Sequence, residues 1–351
     1  MAQNTGTYDI SALLAVKNQS VAQYGLSNIE PVLRADLAAH NANTLAMLSD
    51  LCEVTTDRQR RYGGATDGEM VEVDEFGRAP TQTTTSGDTV AFPLRLFQYN
   101  IGWTAKWFEM HTPEDMAMAQ IAAEKAHLRA VLRDIKKAVF LSANYTWTDF
   151  LVDKVDLSVK RLINADGANI PGGPNGETFD GSTHTHYNAN ASLTAAAFLD
   201  NIRDVVEHGN GGVRVVINAA DETAVSALTG FKALSDARFV YNATDVTKQT
   251  LDLSRLDNRM VGYFGAAEVW VRPWGIANYA LAYDPSASQK PLAFRQRAQS
   301  TLQGLRMAAE TPMHQLYARF MEDEFGVGVW NRTAAAVLYF AGASYTDPTI
   351  A

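Results

Sequence analysis

Apolar side chains recur at intervals of three and four residues along one long segment that begins at Thr112 and Pro113. A threonine N-cap followed by proline at the first helical position is typical of a helix N-terminus. The pattern predicts one helix over residues 112–142, about 40 Å long, which is unusual in a globular domain. The same spacing predicts shorter helices at 31–52 and 192–208.

The segment between residues 54 and 110 has a different character, because glycines interrupt short β-like stretches such as 70–76 and 89–98. This pattern predicts a long two-stranded hairpin with a polar and highly charged tip. An isolated two-stranded hairpin is at best marginally stable in water. We therefore expect a neighbouring chain to stabilise it.

The second half of the chain mixes helical and β-like stretches without a regular β–α–β rhythm. Residues 164–190 are rich in loop residues, and residues 212–228 have the pattern of a strand, a turn and a helix. Further strands are predicted at 268–272, 279–283, 315–320 and 333–340. The fold class that this mixture predicts is α+β.

Composition excludes several classes of protein. Of 351 residues, 46% are hydrophobic and only 24 are glycine and 11 proline, which argues against a disordered chain. The net charge of -9 argues against a free-standing DNA-binding module, so any nucleic-acid contact must come from a local patch. The single cysteine, Cys52, excludes an intrachain disulfide. The longest nearly apolar run, 333–343, is too short to cross a membrane, and no membrane partner is expected.

The sequence has none of the motifs GxxxxGK[ST], HExxH, GxSxG and CxxC, which carry chemistry by fixed geometry. His184 and His186 would face the same side of a strand, so with Glu177 or Asp180 a two-histidine, one-carboxylate metal site is conceivable. The other histidines, including His208, are scattered without such a pattern. We expect no catalytic residue, no metal and no cofactor, and keep a metal-dependent hydrolase as an alternative.

Charges of both signs alternate along the predicted hairpin, and most of its cations are arginines. Guanidinium groups form bidentate pairs with carboxylates, so this pattern favours a docking surface over an ordinary solvated loop. The residues predicted to make intersubunit contacts are Arg58, Arg60, Arg61, Glu69, Glu72, Asp74, Glu75 and Arg78.

A second charged surface is predicted on the long helix. Four cations recur at every fourth residue and form a basic stripe that drifts by about 40° per step. The usual interpretation of such a run is a solvated helix face. The functional alternatives are a contact with DNA phosphates, or with acids of a partner's hairpin such as Glu69 or Glu72. The basic stripe consists of Lys125, Arg129, Arg133 and Lys137.

The order of elements and the C-terminal third resemble the major capsid proteins of tailed bacteriophages, which have the Hong Kong 97-like fold. The segments KPLAFRQR (290–297), ETPMHQLY (310–317) and EFGVGVWNRTAAAVLYF (324–340) resemble the closing strands of that family's peripheral domain. The resemblance implies an N-terminal arm at 1–53, an extended hairpin loop at 54–110, and a spine helix with the first part of a peripheral domain at 111–192. An axial domain at 193–289 and the closing part of the peripheral domain at 290–351 would follow.

Proteins of this family form hexamers and pentamers of an icosahedral shell around double-stranded DNA. The resemblance therefore implies a structural virion protein that is not an enzyme and that assembles in the host cytoplasm. Its implied partners are copies of itself, nonspecifically packaged DNA, and scaffold, portal and decoration proteins. An encapsulin-like compartment, which has the same fold and packages a protein cargo, is the nearest alternative.

Two departures from the pattern of some family members have consequences. Some members carry a cleaved N-terminal scaffolding segment, whereas only residues 1–53 precede the hairpin here, which favours a separate scaffold protein or none. In some members a lysine on the extended loop forms a covalent bond to a neighbouring subunit. No lysine lies between Lys17 and Lys106, so we expect a noncovalent shell.

Overall fold

The computed structural model describes residues 11–14, 16, 18–62, 70–82, 87–163, 166–168, 170–234, 258–313 and 316–350. The α-helices in these ranges are α1 (Ser11–Leu14), α2 (Val21–Tyr24), α3 (Leu26–Leu48), α4 (Ala105–Met110), α5 (Pro113–Phe140), α6 (Ala195–Val206) and α7 (Glu222–Ser226). The strands are β1 (Cys52–Thr55), β2 (Gln59–Tyr62), β3 (Asp88–Ala91), β4 (Arg95–Thr104), β5 (Tyr145–Thr148), β6 (Asp156–Val159), β7 (Tyr187–Ala189), β8 (Arg214–Ile217), β9 (Phe231–Ala233), β10 (Arg259–Phe264), β11 (Ala267–Val271), β12 (Tyr279–Tyr283), β13 (Leu292–Gln296), β14 (Arg306–Met313), β15 (Leu316–Val329) and β16 (Ala335–Tyr339).

Helix α5 is the predicted long helix and has 28 residues. A capping box starts it: the side chains of Thr112 and Asp115 each accept a hydrogen bond from the other residue's backbone N–H. Pro113 occupies the first helical position, where its missing N–H removes no helical bond. Val131 and Ile135 lie on the buried face of the C-terminal half. The prediction of this helix is confirmed to within two residues at each end.

Two large sheets pack with α5 around a common core. The first has the order β1-β13-β15-β14, with β4 also paired to β15. The second has seven strands in the order β7-β16-β12-β8-β11-β10-β9. Phe294 and Phe325 of the first sheet and Leu281 and Val337 of the second lie in the same apolar cluster as the buried face of α5. This architecture confirms the α+β class.

Only part of the segment predicted as a hairpin, 54–110, is one. Strands β2 and β3 pair antiparallel, with Arg60 opposite Val90. The stretch 89–98 is two strands and not one, because Pro93 lacks the N–H that a continuous ladder needs. Strand β4 then runs in the first sheet alongside β15. Residues 70–76, predicted to be β-like, form no strand, since no described strand pairs with them.

Most other elements lie where they were predicted, namely α6, β8 with α7, β11, β12 and β16. Helix α3 begins at Leu26 and not at Pro31, which lies inside the helix. Strand β15 is longer than predicted and continues to Val329. Strand β16, predicted to close the peripheral domain, pairs antiparallel with β12 in the second sheet. The domain boundaries stay predictions. None of the described helices is long and apolar enough to cross a membrane.

Candidate functional site

Arg60, at the base of the hairpin, contacts other residues of the same chain. Its guanidinium donates to Asp57 Oδ2 at 2.7 Å and to Glu53 Oε1 at 3.0 Å, and lies 4.3 Å from the centroid of the Trp330 ring. The hydrogen bond from Arg60 lowers the pKa of Asp57. Arg60 therefore makes contacts within its own subunit, and its intersubunit role stays a prediction.

The other charges predicted near the hairpin base differ in their surroundings. Arg58 forms an ion pair with Asp153, so it too is engaged within the chain. Arg61 is exposed on strand β2. Glu69 lies outside the described residues. The three intrachain ion pairs of Arg58 and Arg60 stabilise the base of the hairpin.

The hairpin tip, residues 70–82, has every side chain exposed. A turn shapes it, in which the backbone N–H of Gly77 donates to the carbonyl oxygen of Asp74 at 3.0 Å. The carboxylate of Asp74 also accepts from the backbone N–H of Phe76 at 3.0 Å. Among the described residues, the ion pairs of this hairpin lie at its base. The tip presents the charged side chains of Glu72, Asp74, Glu75 and Arg78.

The hairpin tip also exposes apolar side chains. Met70 is 99% exposed and Phe76 is 90% exposed, while Val71 and Val73 are about half exposed. Large apolar groups gathered on a surface are typical of protein interaction sites. The sequence pattern predicted a polar and charged tip and missed this property. Only the structure shows that Met70 and Phe76 are almost uncovered by the described chain, and that Val71 and Val73 are half covered.

The basic stripe lies on one face of α5, beside the face that packs into the core. Lys125 and Arg129 are exposed, whereas Arg133 and Lys137 are half-buried. Within the described ranges, none of the four forms an ion pair with a carboxylate within 4.0 Å. Burial raises the pKa of Asp134, the acid that follows Arg133. Its contact with phosphates or with a partner's carboxylates stays a prediction.

Three histidines meet between the start of β7 and the end of α6. His184 Nε2 lies 3.1 Å from His208 Nε2, and the His186 ring centroid lies 5.0 and 4.9 Å from the centroids of these two rings. One ligand atom from each residue lies within 4.8 Å of the others. Burial lowers the pKa of all three, that of His208 to about 4. Burial therefore favours the neutral form of these imidazoles, which is the form that binds metal ions.

Glu177 and Asp180, the carboxylates of the conceivable metal site, accept hydrogen bonds from neighbouring residues. Glu177 accepts hydrogen bonds from the backbone N–H and side-chain amide of Asn175, each at 2.9 Å. Asp180 accepts from the backbone N–H and hydroxyl of Ser182, at 2.9 and 2.7 Å. Among the described residues, the group of possible metal ligands contains His208 and neither of these carboxylates. The third member is His208, 24 residues beyond the first histidine, which the sequence pattern left unassigned.

No family model matches the chain, and no curated protein matches it either. A solved structure of Mycobacterium phage Patience matches 99% of this chain and 96% of its own, with a TM-score of 0.67 and 18% sequence identity. The capsid of an empty GTA particle matches 84% of this chain and 89% of its own, with a TM-score of 0.48 and 16% identity. The holo-SrpI encapsulin complex from Synechococcus elongatus PCC 7942 matches 99% and 100%, with a TM-score of 0.42 and 11% identity.

The match to the Mycobacterium phage Patience structure spans nearly all of both chains. The structural similarity therefore covers the hairpin, helix α5 and both sheets, and is not limited to one element or motif. The likeness is one of fold, since few residues are identical. The chain has the fold of a tailed-phage major capsid protein, the family that its sequence resembles.

Proposed function

We propose that this chain is a major capsid protein whose hexamers and pentamers form an icosahedral shell around double-stranded DNA. The observation that carries the proposal is the match in fold over 99% of the chain to the Mycobacterium phage Patience structure. The fold is then Hong Kong 97-like, with 1–53 as the N-terminal arm, 54–110 as the extended loop and α5 as the spine helix. The chain is a structural virion component and not an enzyme, assembles in the host cytoplasm, and has portal, scaffold and decoration proteins as further partners.

The hairpin tip supports a contact with a second copy of the chain. Met70 and Phe76 leave nearly their whole side chains in water in the single subunit. Covering apolar surface is favourable by about 25 cal/mol per Å². Closed symmetry repeats one such contact around every ring of subunits, so that many modest interfaces together stabilise a shell.

The hairpin tip and the basic stripe are complementary in charge. The tip has three carboxylates, Glu72, Asp74 and Glu75, against one guanidinium. The stripe consists only of cations, of which Lys125 and Arg129 are the exposed ones. Complementary charges fix the register of two partners and exclude wrong ones. We infer that the tip of one subunit docks near the stripe of the next, and DNA phosphates are the alternative occupant of the stripe.

Particles isolated from the natural source of the chain test this function. After nuclease treatment and sedimentation, we expect fast-sedimenting particles that contain this chain and protect double-stranded DNA. Particles that hold a single protein cargo and no DNA would indicate an encapsulin instead. A chain that sediments only as a 38.3 kDa subunit would contradict both shell functions.

A further inference from the structure

We propose that His184, His186 and His208 bind one divalent first-row transition-metal ion, with Zn²⁺ as the reference ion, and that Glu207 supplies a fourth ligand. The proposal does not depend on the capsid function. It departs from the expectation, drawn from the sequence, that the chain binds no metal.

The distances from His184 Nε2 to its two nearest polar neighbours suit tetrahedral coordination, and the other ligand atoms approach further when the ion binds. Zinc–nitrogen bonds of about 2.0–2.1 Å place two tetrahedral ligand nitrogens about 3.3 Å apart. His184 Nε2 already lies 3.1 Å from His208 Nε2 and 3.4 Å from Glu207 Oε1. The three histidines together bring one ligand atom each within 4.8 Å of the others. His186 completes a set of three ring nitrogens that are spaced closely enough to approach one ion.

The chemistry of the cluster favours a metal ion over hydrogen bonding alone. Between two facing Nε2 atoms only one N–H···N hydrogen bond can form, with one ring as donor and the other as acceptor. A metal ion instead engages a lone pair from each of the three rings. Imidazole nitrogens with one carboxylate oxygen form a donor set that Zn²⁺ accepts, and related first-row ions bind the same ligand types.

The backbone positions each ligand independently of the others. The carbonyl oxygen of His186 accepts from the backbone N–H of Val337 at 2.9 Å, beside the pairing of β7 with β16. The backbone N–H of His184 donates to the carbonyl oxygen of Asp180 at 2.7 Å. His208 directly follows Glu207, the C-cap of α6. A bound ion would therefore connect the loop before β7 to α6 and to the second sheet.

The surroundings give the ion an entrance and a closed inner side. The side chains of His184 and Glu207 are 18% and 31% exposed, which leaves a path from solvent. His186 is fully buried and closes the site from within. The centroid of the Phe179 ring lies 4.4 Å from that of His184 and 4.3 Å from that of His208, so this ring packs against both imidazoles. The site is thus partly preformed and accessible.

Titration of the purified full-length chain with Co²⁺, after removal of metals with a chelator, tests the proposal. We expect saturation at a single Co²⁺ per chain, the intense visible absorption of tetrahedral Co²⁺, and its loss when Zn²⁺ is added. His184→Gln and His208→Gln should each weaken binding more than about tenfold. His111→Gln is the matched control, because this half-exposed histidine contacts Trp107 and Asp115 and its loss should leave binding unchanged.

Absence of saturable Co²⁺ binding by the folded chain would overturn the proposal. Binding that survives both His184→Gln and His208→Gln unchanged would overturn it as well. Circular dichroism establishes that each variant folds, and His184→Gln decides the matter if the other variant does not, because the His184 side chain is partly exposed. The weak spectrum of octahedral Co²⁺ would contradict the four-ligand geometry with Glu207.

Discussion

His127 Nε2 lies 2.8 Å from Asp323 Oδ2, and the two side chains are only 4% and 1% exposed. His127 belongs to the 28-residue helix α5 and Asp323 to the 14-residue strand β15. On its other side, His127 Nδ1 lies 2.9 Å from Nε2 of His40 in α3. Burial and the neighbouring His127 lower the pKa of His40 to about 4. One buried chain of polar contacts therefore joins α3, α5 and β15.

Replacing His127 with alanine should destabilise the unassembled subunit. His127→Ala leaves the buried carboxylate of Asp323 without this partner, so we expect the free energy of unfolding to fall by about 2–3 kcal/mol. Urea unfolding measures this change in the free energy of unfolding. The control is His111→Ala, a half-exposed histidine just before α5 that contacts Asp115, for which we expect a smaller loss of about 1 kcal/mol or less. Equal unfolding midpoints for the two variants would contradict a stabilising role for the buried pair.

The contrast between α5 and this pair shows what a sequence can predict. The signals for α5 are local, because Thr112, Pro113 and Asp115 lie in one turn and the apolar spacing follows directly. His127 and Asp323 are 196 residues apart, and their contact depends on how a helix packs on a distant strand. For the same reason β4 was assigned to the hairpin, although it pairs with β15.

The exposed apolar residues of the hairpin tip should matter for assembly and not for folding. The double variant Met70→Ser with Phe76→Ser removes side chains that the single subunit leaves in water, so we expect its unfolding free energy to change by less than about 0.5 kcal/mol. Assembly should weaken about tenfold or more, since 1.4 kcal/mol per contact changes an association constant tenfold. Sedimentation at a series of protein concentrations measures the fractions of free subunit and of assembled particle.

Leu199→Ser provides the control for the tip variant, because Leu199 is an apolar residue of α6 with 43% exposure. It removes a comparable apolar side chain away from the hairpin. If the tip variant and this control assemble equally well, the tip does not mediate assembly.

Charge reversal on the basic stripe separates its possible partners. If the stripe pairs with a neighbour's hairpin tip, Arg129→Glu with Arg133→Glu should abolish assembly of empty shells, and added Glu72→Arg with Glu75→Arg should restore it. If the stripe contacts DNA, empty shells should form and DNA retention should fall. The log–log salt slope of DNA binding is then up to about -3.6 when all four cations engage.

Lys232→Glu is the matched control for the stripe, since Lys232 is an exposed cation on β9. It should change neither assembly nor DNA retention. Should the stripe variant behave like this control in both measurements, the stripe is only a solvated helix face.

The shell should contain no covalent bonds between subunits. The sequence has no lysine from residue 18 to residue 105, so the part of the predicted hairpin loop before Lys106 lacks the amine that an isopeptide bond needs. Boiling particles in denaturing detergent with reductant should release a single band at 38.3 kDa. A ladder of multiples of that mass would show that covalent links exist.

Sequence reasoning found the charged surfaces but not the details that give them specificity. It identified the hairpin and the stripe because charge patterns are visible in the sequence. It did not find that Arg58 and Arg60 pair within their own chain, since those partners depend on tertiary packing. It likewise missed His208, because only the closing of α6 against the loop before β7 brings that ring to His184.

Negative-stain electron microscopy of the purified full-length chain tests the central claim most directly, because a capsid fold has its function in the assembled particle. The account predicts closed shells of uniform size, with subunits grouped in rings of five and six. Folded chain that stays as separate subunits at every concentration, with no shells in the images, would contradict it.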